Sequence, residues 1–475
     1  MGRTLKPRLQ PHERPTKEVT IESVDLEAQG ICRQDDGKVM FVRGAITGEL
    51  VRAAVVRSKP TFEVAETVEI LKSASIRVSP RCKHFGICGG CSMQHVEATA
   101  QLAIKQRALE DCLFHIAKLK AEQVLPPIAG PTWGYRYRAR LSVRNVVKKG
   151  GVLVGFHERA SSYIADMREC HILPSAVAKL LLALRELVGA LSVRDQLPQI
   201  ELAVGNKNSE EGFIPSLKTE QLHEEIILVL RILQPLTEQD HVLLDAFEAQ
   251  HHVNFWLQPK GPDTAAPRKT SKPGDLHYTL PQFNIKMPFR PTDFTQVNPH
   301  INRALVGHAI SLLEVQAKER ILDLFCGLGN FTLPLATLAA QVQGIEGSQS
   351  LVSRALENAR LNKLEDKTAF LESNLFEVDS EQMKTWGQFD RWLIDPPREG
   401  ALAVVKALGV IDEIRFKPKR IVYVSCNPST LARDAAILVY QAGYILSKAG
   451  IINMFPHTSH IESVAVFDLP DSVKK

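Results

Sequence analysis

A cysteine closes the most chemically suggestive stretch of this sequence. Ser425-Cys426-Asn427-Pro428 follows an apolar run from Ile421 to Val424 and lies downstream of Asp395-Pro396-Pro397-Arg398 and of a glycine-containing turn, Asp323 to Asn330. Ligands of nucleotide-type α/β sheets sit beyond the carboxyl ends of the strands, so a thiol there is placed to attack rather than to pack. Free cysteine is often a small buried hydrophobe, and the flanking motifs weigh against that bland alternative. These residues point to covalent catalysis.

Acidic and amide groups end the neighbouring apolar runs. Asp323-Leu324-Phe325-Cys326-Gly327-Leu328-Gly329-Asn330 lacks the third glycine of a dinucleotide fingerprint and the lysine of a phosphate loop. An acid before such a turn favours a cationic or hydroxyl-bearing ligand over a pyrophosphate. Glu346, closing the next strand, can accept two ribose hydroxyls, as the corresponding acid does in dinucleotide folds. Asn374 sits at the same rim, within reach of an adenine edge. After Asp395 two prolines stiffen the turn and remove two backbone donors, leaving a narrow walled position for a planar ring. Asp-Pro-Pro alone is often a tight turn and nothing more, and Glu346 and Asn374 are weak signals singly. Together with Asp323 they outline S-adenosylmethionine better than NAD.

The elements that must position these groups read as a regular α/β alternation from about Asn302 onward. Strands are expected at Arg320 to Phe325, Val342 to Glu346, Thr368 to Leu371, Phe389 to Ile394 and Arg420 to Ser425, with a late hairpin of Gly443 to Ile452 and Ser463 to Leu469. This is the pattern of a doubly wound sheet. Near the N-terminus, short period-two runs at Val19 to Val24, Lys38 to Val42, Leu50 to Val56 and Phe62 to Leu71 predict a small OB-like barrel. Between them lies a mixed α+β region with a helix over about Val96 to Lys120 and strands near 135–147, 152–156, 200–204, 226–232 and 252–257. The Pro/Gly-rich stretch 259–274 reads as a surface loop.

With 475 residues, roughly three domains are expected. The division is a basic tail over 1–17, the barrel over 18–72, a central domain over 73–290 and the α/β domain over 291–475. Leu180 to Val193, the most apolar stretch, is interrupted by Arg185 and Glu186 and reads as an amphipathic helix rather than a membrane span. Without a secretory signal, a cytoplasmic protein is expected. The tail carries Arg3, Lys6, Arg8, Arg14 and Lys17 against Glu13, an arm suited to tracking phosphates or to remaining solvated. On the run Tyr135 to Arg144, alternation sends Arg136, Arg138, Arg140 and Arg144 to one face, where they would repel one another unless an anion lies across them. Cys82, Cys88 and Cys91, spaced Cys-x5-Cys-x2-Cys, suggest a metal centre lacking one ligand.

These motifs, with Phe294-Thr295-Gln296-Val297-Asn298 and His460-Ile461-Glu462, resemble the RNA uracil-5 methyltransferases along essentially the whole chain. The resemblance is to the iron-sulfur branch with a TRAM barrel, which acts on large-subunit ribosomal RNA. Relatives acting on tRNA lack both barrel and cysteine cluster, and a sister ribosomal branch lacks the barrel. The resemblance implies a Rossmann-like class I methyltransferase domain and 23S ribosomal RNA as partner, with no membrane, no obligate protein partner and a monomeric enzyme. It places S-adenosylmethionine contacts on Gln296, Phe325, Asn330, Glu346, Asn374 and Asp395, the nucleophile on Cys426 and the base on Glu462. Cys82, Cys88, Cys91 and Cys170 would hold a 4Fe-4S cluster, although four thiolates suit zinc as well.

Uracil C5 is a poor nucleophile, and thiolate addition at C6 is what turns the ring into an enolate whose C5 attacks a methyl group. A carboxylate must then remove the C5 proton so that the thiol can leave. Three rivals stand beside this expectation. A non-catalytic RNA-binding assembly factor would not need Cys426 and Glu462. A DNA cytosine-5 methyltransferase typically carries Pro-Cys, and a radical S-adenosylmethionine enzyme needs a Cys-x3-Cys-x2-Cys spacing absent here. A uracil-5 methyltransferase of another RNA is the remaining alternative.

Overall fold

The computed structural model describes residues 14–206, 224–272 and 274–470. The arm residues Arg3, Lys6, Arg8 and Glu13, and nearly all of the stretch 206–225, to which no motif assigns a role, lie outside them. Three sheets carry the architecture.

The first is a curled, half-barrel sheet of six strands built from Thr16–Thr20, Ser23–Val24, Gln29–Arg33, Val39–Arg43, Leu50–Ser58 and Phe62–Lys72. Alternating burial along Gln29–Arg33 and Val39–Arg43 sends Cys32, Met40 and Val42 into a small core with Ile21, Val51 and Ala53. Two cations assigned to the arm belong to this sheet instead. Lys17 lies in the first strand with its ammonium 2.8 Å from Glu63, and Arg14 sits 3.5 Å from Glu66. The acids of Phe62–Lys72 hold them there.

The second sheet centres on Gln199–Asn206 and Glu224–Arg231, with Arg138–Val146 and Gly151–Gly155 branching from it. Ala139, Leu141 and Val143 point into its core as alternation requires. The arginine face is partly satisfied without an outside anion. Arg140 lies opposite Glu201 in the ladder and 2.8 Å from its carboxylate, while Arg136 and Arg138 sit over the rings of Phe156 and Phe289. The stretch 259–274 is likewise tied down: Ala266–Pro267 pairs with Asn254–Gln258, and the buried Arg268 bridges Asp245 and Glu248. The amphipathic segment is the helix Leu180–Ala190, burying Leu180, Leu181, Leu184, Leu187 and Val188. Among the described residues no helix is long and apolar enough to cross a membrane.

The third sheet runs in the spatial order Thr368–Glu372, Gln341–Glu346, Arg320–Leu324, Arg391–Ile394, Arg420–Ser425, Glu462–Asp468, Ile445–Ile452 and Gln123–Val124. The first five are parallel, and the central three, Arg320–Leu324, Arg391–Ile394 and Arg420–Ser425, are almost continuously buried, as strands covered on both faces must be, while the edge strand Thr368–Glu372 is largely exposed. Glu462–Asp468 inserts antiparallel beside Arg420–Ser425. Residues from the N-terminal side of position 291 complete this unit. Gln123–Val124 adds an edge strand, and the helix Ala98–Ala117 packs Ala108, Leu109, Cys112 and Leu113 into the same core as Leu431, Ala435 and Leu438. That helix begins where Glu97 accepts from the backbone N–H groups of Thr99 and Ala100, and ends at Lys118 in the left-handed conformation.

Candidate active site

A cleft of about 470 Å³ opens at the carboxyl ends of the parallel strands, a size suited to a small-molecule ligand. It brings together all eight residues expected from the sequence: Gln296, Phe325, Asn330 and Glu346 with Asn374, Asp395, Cys426 and Glu462. The strand Arg320–Leu324 enters it through Phe325, a non-glycine residue at φ 63°. Such backbone is strained for a bulky side chain and persists only where its surroundings hold it. The turn lies close against the next strand. A Cβ at Gly344 would meet Cys326 Sγ and the Phe370 ring at 2.8 Å, so only glycine allows the approach.

Glu346 is oriented by backbone donors, accepting from Gly327 N and Ser348 N at 3.1 Å each. Asn330 forms a reciprocal amide pair with Asn302 at 3.0 Å and accepts from Tyr278 Oη at 2.8 Å, so its side chain braces the turn. Asn374 Oδ1 accepts from Phe376 N at 3.1 Å. Beneath the cleft floor Asp323 is buried, with Thr332 Oγ1 donating to one oxygen at 2.5 Å. Burial pushes Asp323 up to about 8 and Asp395 up to about 7.

The Ser-Cys-Asn-Pro motif owes its composition to local geometry. Asn427 caps the helix Pro428–Tyr440, accepting from Ser429 N at 3.1 Å, and Pro428 stands at the first helical turn where no amide hydrogen is needed. The Asn427 amide also donates to the Arg398 carbonyl at 3.2 Å, which Thr430 Oγ1 reaches at 3.2 Å. The loop after Asp395 is thereby fastened to the loop that carries Cys426. Burial pushes the Cys426 thiol up to about 12, with Glu462 and then Asp395 adding to it and Arg398 opposing. Glu462 is buried and held well above the usual carboxylate range, by burial first and by Asp395 second.

Arg398 and His460 are cleft residues to which the sequence motifs assign no role. Arg398 donates to the His460 ring at 3.0 Å, and burial, followed by Arg398, pushes that imidazole down to about 4. A neutral imidazole accepting from a guanidinium forms one wall beside Cys426. Their positions in Asp-Pro-Pro-Arg and His-Ile-Glu were the available signal. The rings of Phe294 and Phe455, also in the cleft, had none beyond their neighbours.

Known proteins match this arrangement closely. Residues 279–468 match the family described as tRNA (Uracil-5-)-methyltransferase. The 23S rRNA (uracil(1939)-C(5))-methyltransferase RlmD of Cupriavidus pinatubonensis is 59% identical over 457 residues, covering 95% of each chain. That of Bordetella parapertussis is 58% identical over 95% of this chain and 93% of its own. The chain belongs to the RlmD family of 23S rRNA uracil-C5 methyltransferases. A solved tRNA (uracil-54, C5)-methyltransferase of Pyrococcus abyssi, in complex with S-adenosyl-L-homocysteine, shares the fold with a TM-score of 0.68 at 22% identity, over 95% of this chain and all of that one.

A second constellation in this RlmD-family chain lies away from the cleft. Cys82, Cys88, Cys91 and Cys170 line one small cavity of about 20 Å³, closed by Phe85, Phe156, Met167 and Ile172. Cys88 Sγ accepts from Gly90 N at 3.4 Å and touches Met167 Sδ at 3.8 Å. Burial pushes Cys91 up to about 11 and Cys170 to about 12. Among the described residues no set of three or more His, Cys, Asp or Glu side chains converges tightly enough to hold a metal ion. The four thiols share a cavity without closing on one point.

Proposed function

We propose that this enzyme transfers a methyl group from S-adenosylmethionine to C5 of the uridine for which its relatives are named, uracil 1939 of 23S ribosomal RNA, in the cytoplasm and as a monomer. The observation that carries the reading is the confrontation of Cys426 and Glu462 across a cleft at the strand ends. When bound, S-adenosylmethionine supplies an electrophilic methyl on a cationic sulfur whose charge favours ionised Asp395, Glu462 and Cys426.

Cys426 Sγ gives up its proton to solvent and adds as the thiolate to C6 of the uracil, and the electron pair of the C5–C6 double bond becomes an enolate. Asp395 is read as an acceptor for the donor's amino group or for the base imide, and Arg398 stabilises the thiolate before addition. C5 takes the methyl group as its bond to the donor sulfur breaks, and the donor would leave as the neutral thioether. Glu462, as the carboxylate, then removes the C5 proton, the double bond re-forms and Cys426 leaves as thiolate. A uridine within folded RNA reaches this cleft only when unstacked, so local unfolding or base flipping precedes the chemistry. The half-barrel and the exposed Arg140 and Arg144 hold the RNA by phosphate and shape contacts.

The four cysteines are read as ligands of a 4Fe-4S cluster, which would tie the loop 82–91 to Cys170. Four thiols around one small cavity, which His84, Gln94 and His171 also line, support this. No catalytic step is routed through it.

The deciding experiment incubates the enzyme with S-adenosylmethionine and either unmodified 23S ribosomal RNA or tRNA, then maps 5-methyluridine. A single new site in 23S RNA is expected, and methylation of tRNA alone would overturn the assignment.

A further inference from the structure

Glu462 opens a strand that follows the loop 453–461, and this loop also brings Phe455 and His460 into the cleft. Thr458 and the His460 amide bond within the loop, but several of its other polar groups are gripped by residues from the N-terminal side of the chain. Lys105 Nζ donates to Asn453 Oδ1 and to the Phe455 carbonyl, both at 2.9 Å. Tyr135 Oη donates to the Pro456 carbonyl at 2.9 Å. The amides of Ser92 and Met93 both donate to the His457 carbonyl at 2.9 Å, and Ser459 N donates to Ser92 Oγ at 2.8 Å. His457 itself stands at φ 63°, its N–H donating to Gln101 Oε1 at 2.8 Å and its ring stacked on Trp133 at 3.9 Å. Left-handed backbone at such a residue needs this surround to persist.

Lys105 is 1% exposed, and the two acceptors of its ammonium are neutral oxygens. A buried cation without a carboxylate partner costs stability, yet it is the donor that pairs the buried Asn453 amide oxygen. What an apolar residue could not do is draw the Asn453 side chain and the Phe455 carbonyl to one point. Ser92 makes the matching grip at the other end of the loop and directly follows Cys91, one of the four thiols of the small cavity.

We propose that Lys105 and Ser92 are positioning residues for the catalytic base: together they set the loop that aims Glu462, so the cysteine loop and the helix Ala98–Ala117 act on proton removal from C5. The inference rests on the reaction proposed above. A displaced Glu462 leaves thiol addition and methyl transfer intact and slows release, so covalent protein–RNA adduct builds up.

The test uses the full-length holoenzyme with 23S RNA and S-adenosylmethionine. Lys105→Met and Ser92→Ala should each lower kcat by about tenfold or more, the scale expected when a catalytic group is displaced by a fraction of an ångström to an ångström. KM for RNA and donor should stay within about twofold of wild type. Denaturation-resistant adduct should accumulate in both variants, and Ser92→Thr should restore turnover relative to Ser92→Ala. Unchanged kcat, or a fall in kcat without adduct, would overturn the proposal while leaving the reaction standing. A wild-type enzyme that makes no 5-methyluridine would take both down.

Discussion

Ser425 and Ser463 are register partners in the antiparallel ladder between Arg420–Ser425 and Glu462–Asp468, and Ser463 Oγ donates to the Ser425 carbonyl at 3.1 Å. One step beyond that pair the same register sets Cys426 opposite Glu462. Glu462, the first residue of its strand, is thus held by the ladder on one side and by the loop 453–461 on the other, while Cys426 lies one residue past its own strand, and covalent catalysis needs both placements to be rigid.

Removing either partner should stop the reaction at a different point. Cys426→Ala should abolish both product and adduct. Glu462→Gln should slow turnover by about 10² to 10⁴ while trapping RNA on Cys426, seen as a band shift that survives denaturation. Product from the alanine variant would eliminate the covalent route.

The raised thiol makes alkylation a direct probe. With Cys426 pushed up to about 12 in the donor-free cleft, its modification by iodoacetamide should be slow at pH 7 and rise about tenfold per pH unit over the following units. Peptide mapping by mass spectrometry follows this one thiol. Arg398→Gln, which removes the opposing cation, should slow alkylation further, and a rate independent of pH would refute the assignment.

Asp323 and Asp395 impose a pH dependence on stability. Their ordinary value is 3.8, and burial raises them to about 8 and about 7, so between those limits the folded chain holds protons that the unfolded chain has released. Their contribution is complete below 3.8 and is lost as pH rises through 7 and 8. Asp323→Asn should accordingly raise stability at pH 8 by at least about 1 kcal/mol, and should flatten the wild-type decline from pH 5 to 8. Denaturant titration at each pH provides the check. A variant less stable at pH 8 would reverse the sign.

Asn427 separates fold from function within one residue. Asn427→Ala should cost about 1 kcal/mol through the lost helix cap and reduce kcat as well, because the Arg398 loop loses its tie. Asn427→Asp keeps an acceptor for Ser429 N but has no donor for the Arg398 carbonyl, so melting temperature should recover and turnover should not. Recovery of both would place the whole effect in the cap.

Anaerobically purified protein should carry iron and acid-labile sulfide, and Cys88→Ala or Cys170→Ala should lose both. Chelation should lower thermal stability and RNA affinity. Stoichiometric zinc without sulfide would replace the cluster with a zinc site, and unchanged stability and affinity after metal loss would remove the structural role.

Much of this molecule follows from local periodicity. The continuous apolar run Ile421–Val424, the alternation in Val39–Arg43 and the acids closing successive strands are properties of short segments, so the α/β class and the strand-end residues could be read from residue order. Gln29–Arg33 escaped because five residues with polar ends carry too short an alternation. Gln123–Val124 escaped because a two-residue edge strand has no period at all.

Other features arise where distant segments meet. Glu201 lies opposite Arg140 only once two strands have taken their register, and Lys105 meets Asn453 across 348 positions of chain. The elevated pKa values of Asp323, Asp395 and Glu462 come from burial, which exists only after the layers have closed. Residue order thus named the thiol, the acids and their chemistry, because side-chain type and period are written into short stretches. Packing settled that Cys426 looks at Glu462: a one-residue slip in the ladder would turn that carboxylate to the opposite face of the sheet, and the choice of register belongs to the whole fold.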